Sequence, residues 1–89
     1  MKNKIVLDGK EMYLKYTLNS MRILEKRYNV KLQELGESFD MEKIQALLHV
    51  GLLSCEPNLT FEEVGDMVDM QNIQEVVNAI TGALGGLPQ

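Results

Sequence analysis

The sequence predicts an α+β fold: an N-terminal β-hairpin packed on a bundle of about four short helices. Three observations carry this. Residues about 4–16 alternate apolar and polar side chains around Asp8-Gly9. Leu, Ile, Val and Met then recur at helical spacing from Leu18 to Leu84. Capping residues and Gly or Pro stops punctuate that stretch. The 89 residues suffice for one small domain, with the hairpin at about 4–16, a helical part at about 18–84 and a flexible tail at 85–89.

The hairpin comes first. Asp8-Gly9 is a two-residue turn signal, because a type I′ turn needs positive φ at both central residues. That turn sets Leu7 opposite Lys10, Val6 opposite Glu11 and Ile5 opposite Met12. Ile5, Leu7, Met12 and Leu14 then share one face, which must pack on something because a lone hairpin is marginal in water. A first helix is expected from near Thr17–Asn19 to near Asn29, with Leu18, Met21, Leu24 and Tyr28 as its stripe. Residues 31–39 read as a connection, since Gly36 and Ser38 interrupt the pattern.

Asp40 is the expected N-cap of a second helix. Its stripe is Ile44, Leu47, Leu48, Gly51, Leu52 and Cys55, with Val50 and Leu53 off centre. A helix apolar around so much of its girth predicts burial on more than one side, or a partner surface. Pro57 stops it. Thr60 and Glu63 form a capping box for a third helix, with Val64, Met67 and Val68 on its apolar side. Asn72 and Glu75 repeat the device for a fourth, whose stripe is Ile73, Val76, Val77, Ile80 and Leu84. Gly85-Gly86 and Pro88 end it.

The net charge of −4 is unevenly spread. Residues 1–43 hold all nine basic residues and seven acidic ones, a balance of +2, and residues 44–89 hold six acidic residues and no Lys or Arg. Nucleic-acid binding draws on phosphate neutralisation, which the second half cannot supply. Its acidity either aids solubility or is a handle for a basic partner. No apolar run nears the roughly 20 residues of a membrane span, and none follows Lys2 and Lys4 as in a secretory leader. A single cysteine, Cys55, suits a reducing cytoplasm.

Residue constellations for catalysis are missing, so no enzyme and no cofactor is expected. His49, the only histidine, lies six positions from Cys55, a spacing that puts them on different helix faces. A structural or exposed role is expected for His49, and a small buried hydrophobe for Cys55. No metal site is expected, because three or four ligands do not converge. Glu62, Glu63, Asp66 and Asp69 lack the spacing of a calcium loop. Residues 60–81 have the outline of a helix-turn-helix, with Asn72, Gln74 and Asn78 on the would-be reading helix, which gives a small DNA-binding regulator as the alternative function. Six methionines suggest adaptable packing or a malleable groove for an apolar helix.

Two stretches carry a family resemblance. The first is Tyr16-Thr17-Leu18-Asn19-Ser20-Met21-Arg22-Ile23-Leu24-Glu25. The second runs from Ile44-Gln45-Ala46-Leu47-Leu48 through Glu56-Pro57-Asn58-Leu59-Thr60-Phe61-Glu62-Glu63-Val64 to Val76-Val77-Asn78-Ala79-Ile80. Over roughly residues 11–84 the chain resembles the short tail assembly chaperones of long-tailed phages and prophages of Gram-positive bacteria. The resemblance implies a non-enzymatic protein of the host cytoplasm, absent from the mature virion. It would bind the helical tape measure protein, keep it soluble and recruit tail tube protein. Val50, Leu53, Phe61, Met67 and Met70 are the candidate contact residues, being left over from the core stripes. Self-association through the surface of the second helix is a further expectation.

Overall fold

The computed structural model describes residues 4–30 and 40–84. Two strands, β1 (Lys4–Leu7) and β2 (Lys10–Tyr13), precede four helices: α1 (Leu18–Tyr28), α2 (Met41–Leu52), α3 (Phe61–Asp66) and α4 (Ile73–Ala83). This is the α+β arrangement that the sequence predicts. The expectations for residues 31–39, Gly85-Gly86 and the tail lie outside the described residues.

The hairpin has the predicted register, Ile5 opposite Met12 and Leu7 opposite Lys10. Asp8 and Gly9 sit at φ 53° and 74°, the left-handed pair a type I′ turn requires. Ile5, Leu7, Met12 and Leu14 are all buried. Each such side chain contributes roughly 1.5–3 kcal/mol on full burial. The cover comes from α2 and α4: β2 packs on α2 and β1 on α4.

Helix α2 is the hub. It packs against α1, α3, α4 and β2, while α3 and α4 share little contact with each other. Ile44, Ala46, Leu47, Leu48, His49, Val50, Gly51 and Leu52 are all buried, which explains its all-round apolar character. Asp40 caps it as expected, accepting from the Lys43 amide at 2.8 Å. The helix ends at Leu52, three residues short of Cys55. Pro57 disfavours helical backbone at Glu56, and the Leu52 carbonyl instead accepts from the Cys55 and Glu56 amides at 3.1 and 2.8 Å. Cys55 is therefore exposed, not the buried hydrophobe expected.

Two other local expectations need correction. Leu18 opens α1 on its solvent side and is 78% exposed, so the buried stripe begins at Met21. A capping box of Thr17 and Ser20 opens α1. Asn72 does not cap α4. Its backbone is already helical (φ −111°, ψ 0°), whereas an N-cap is extended. Its side chain turns back instead, accepting from the Asp69 amide at 2.8 Å and donating to the Met67 carbonyl at 3.0 Å. Thr60 and Glu63 do form the expected capping box at α3.

The link between β2 and α1 crosses α2 at very close range. The Lys15 amide donates to the Gly51 carbonyl at 3.0 Å. The Tyr16 hydroxyl donates to the Leu47 carbonyl at 2.6 Å. A Cβ on Gly51 would lie 2.7 Å from the Tyr16 ring and hydroxyl and 2.8 Å from Leu14 Cδ2. Only glycine lets the two segments approach this far.

Two outcomes follow from this crossing. Gly51→Ala gains about 1 kcal/mol of helix propensity but meets overpacking of about 1–3 kcal/mol. A net loss of stability, seen as a lower urea midpoint, is expected; a gain would show that Tyr16 moves aside freely. Burial pushes the Tyr16 phenol well above its ordinary value of 10.0. The folded state thus holds this proton more tightly, so the group's contribution is complete below pH 10.0 and declines as pH rises from there toward the higher folded value. Tyr16→Phe should flatten that alkaline loss of stability relative to the parent chain; equal slopes would refute the linkage.

Candidate functional site

Three helices leave an apolar groove between them. Helix α2 contributes Met41, Ile44, Gln45 and Leu48, which recur at helical spacing on one face. Val64, Gly65 and Val68 line the opposite wall, and Asp69, Met70 and Ile73 close the end nearest α4. The space enclosed is about 110 Å³. Two methionines stand at its edge with their side chains in solvent, Met41 at 61% and Met70 at 79% exposure. Unbranched thioether chains in such a position fit an apolar partner of variable shape.

Local sequence explains the geometry. The Gln45 side-chain amide donates to the Phe61 carbonyl at 2.9 Å, tying the first turn of α3 to α2. Gly65 lies directly on that amide, where any Cβ would collide with it. The connector after α3 is held by its own side chains. The Asp69 carboxylate accepts from the Gln71 and Asn72 amides at 2.9 and 3.1 Å, which fixes Met70 outward.

A partly buried polar knot joins α1 to α2. His49 Nε2 donates to the Leu59 carbonyl at 2.8 Å. A carbonyl only accepts, so Nε2 carries the proton and Nδ1 accepts from the Tyr28 hydroxyl at 2.6 Å. Tyr28 stacks on Phe61 with centroids 5.2 Å apart. Burial pushes the Tyr28 phenol up, while Arg27 pulls it down. His49 thereby joins α1, α2 and the segment before α3, and both its ring nitrogens are occupied. Among the described residues, no buried side-chain nitrogen or oxygen lacks a partner. Among them also, no three His, Cys, Asp or Glu side chains are placed to hold a metal ion, and no helix is long and apolar enough to cross a membrane.

The candidate contact residues scatter. Val50 is 2% exposed and belongs to the core, because α2 is covered on that side too. Leu53 is partly buried just beyond α2. Phe61 is taken up by Tyr28 and the core, and Met67 packs on the same core. Met70 alone of the five lines the groove. Sequence reasoning missed Met41, although its position beside the Asp40 cap and in phase with Ile44 and Leu48 was the available signal. Gly65 carried no such signal, because its role depends on the distant Gln45.

Comparison with protein-family models, curated proteins and solved structures gives no match. The groove is therefore characterised by its own chemistry. Met41→Ser or Met70→Ser should change stability by no more than about 0.5 kcal/mol, as for other exposed positions. Val50→Ala should cost about 0.5–3 kcal/mol by opening a core void. Urea denaturation of the three variants checks this; a large loss at Met70 would mark it as structural.

Proposed function

We propose that this chain is a tail assembly chaperone of a long-tailed phage, holding the tape measure protein in the bacterial cytoplasm while the tail forms. The supporting observation is the apolar groove of α2, α3 and α4, with Met41 and Met70 exposed at its edge. A preformed groove of this kind suits the apolar stripe of a partner helix, read at i, i+3, i+4 and i+7. Its modest volume and open methionines favour reversible capture over permanent burial. The second of the two stretches that resemble the chaperone family contributes Ile44, Gln45, Leu48 and Val64 to the same groove. Recruitment of tail tube protein, and absence from the mature virion, belong to this reading as well.

The DNA-binding alternative has less behind it. Helix α3 has six residues and packs on α2 instead of pairing with α4. The exposed positions of α4 are Gln74, Glu75, Asn78, Thr81 and Gly82, with no cation for a phosphate.

Co-expression with the tape measure protein of the same genome is the test. The chain should co-purify with it and raise its soluble fraction. Met41→Asp with Met70→Asp should abolish capture while the melting temperature stays unchanged. Failure of the parent chain to capture or solubilise that protein would reject the reading. Undiminished capture by the double variant would remove the groove from it.

A further inference from the structure

The two edges of the hairpin meet different surroundings. The two-residue turn makes Leu7 and Lys10 a hydrogen-bonded pair, so Ile5 and Met12 form the next one, and the alternating pairs Val6–Glu11 and Lys4–Tyr13 are not bonded. The N–H and C=O of Lys4 and Val6 therefore point outward from β1, and those of Glu11 and Tyr13 outward from β2. The β2 edge is covered. Cys55 Sγ lies 3.5 Å from the Tyr13 carbonyl, Lys10 pairs with Glu56, and the Lys15 amide donates to the Gly51 carbonyl. Among the described residues, no backbone group outside the hairpin pairs with Lys4 or Val6. Strand β1 also lacks the Pro and the bulge that commonly guard an open edge, and its one charge, Lys4, is paired with Glu11. Beside this edge α4 forms a floor. Val76 and Ile80 are buried in the core, while Glu75, Asn78 and Ala79 line a hollow of about 420 Å³ with Lys4, Ile5 and Val6. No residue of this hollow lines the groove of α2, α3 and α4.

We propose that the open edge of β1 takes up an extended segment of another polypeptide as a third strand, seated on the flank of α4. The outward groups of Lys4 and Val6 are complemented by a second extended backbone, which offers N–H and C=O at the same spacing. A helical guest offers no such row, because its backbone groups are paired internally. A second copy joining through the same edge would bring its own α4 beneath its own β1, into the space that the flank of Glu75, Asn78 and Ala79 fills. A lone strand carries no such layer beneath it. Its side chains alternate between two faces. On one face a β-branched residue lies beside Val6, which is 50% exposed. On the other, small side chains rest on the flank of α4 at Ala79. A segment rich in Thr and Val meets both demands.

Amide hydrogen exchange, read residue by residue by NMR on the full chain, tests this. In the free chain the Ile5 and Leu7 amides, bonded to β2, should exchange slowly and those of Lys4 and Val6 fast. The probe is a synthetic peptide that alternates Thr and Val between terminal Lys residues. At saturation it should slow the Val6 amide at least ~10-fold. The same peptide N-methylated at every Thr and Val keeps its side chains, loses its donors and should have no effect. Val6→Pro costs no bond to β2, since that N–H points outward, and should abolish binding with melting little changed. Asn78→Trp, at an exposed position of α4, should fill the hollow and block the peptide in a chain whose hairpin is untouched. A peptide that protects neither edge amide overturns the inference. So does an equal response to the methylated peptide, or binding that survives in both variants. A Val6 amide already slow in the free chain overturns it too. Slow exchange at every concentration would mean that the chain covers its own edge, and slow exchange only at high concentration that a second copy does. None of these outcomes bears on capture of the tape measure protein through the groove, so the two readings stand or fall separately.

Discussion

The close crossing of residues 14–16 over α2 is the contact on which the remaining structure depends. At Gly51 the chain leaving the hairpin lies against helix backbone, held by one amide and one phenol. That contact fixes where the hairpin's apolar face lands and where α1 departs. A side chain at Gly51 would lift the segment off and expose Leu14. The crossing is costly in surface complementarity and cheap in side chains. It uses a missing Cβ where most packing arguments invoke a large residue.

Around α2 the architecture is a set of spokes. Helix α1 holds it through Tyr28 and His49, α3 through Gln45 and Gly65, and α4 through Val76 and Ile80 in the core. The polar members of this set are directional. His49 can satisfy Tyr28 and the Leu59 carbonyl together in one tautomer, so it fixes the rotation of α2 as well as its position. Apolar stripes alone would allow the helices to slide, and these hydrogen bonds select one register.

Local chemistry was legible in the sequence wherever a few neighbouring residues decide the outcome. Asp8-Gly9 specified the turn, and the turn specified the register of Ile5 against Met12. Asp40 and the Thr60–Glu63 pair located two helix starts. Errors arose where a tertiary partner competes. Asn72 matches a cap pattern, but its amide had a better option in Asp69 and Met67. Leu18 lies in phase with α1's stripe yet sits beyond the reach of α2. Val50 reads as surplus because a helical wheel assumes one covered side, and α2 has several. The groove itself was not legible. It is the space left between three helices, and Met41, Gly65 and Met70 meet there only after all three are placed.

The short third helix has a mechanical consequence. It is six residues long, and its packing is directed at α2 with little support from α4. Its attachment includes one side-chain hydrogen bond, from Gln45, beside a contact at Gly65 that has no side chain to interlock. Phe61 stacks on Tyr28 of α1, and Val64 is fully buried. The position of this short helix is therefore set by its neighbours α1 and α2, and a rotation of α2 would carry one wall of the groove with it.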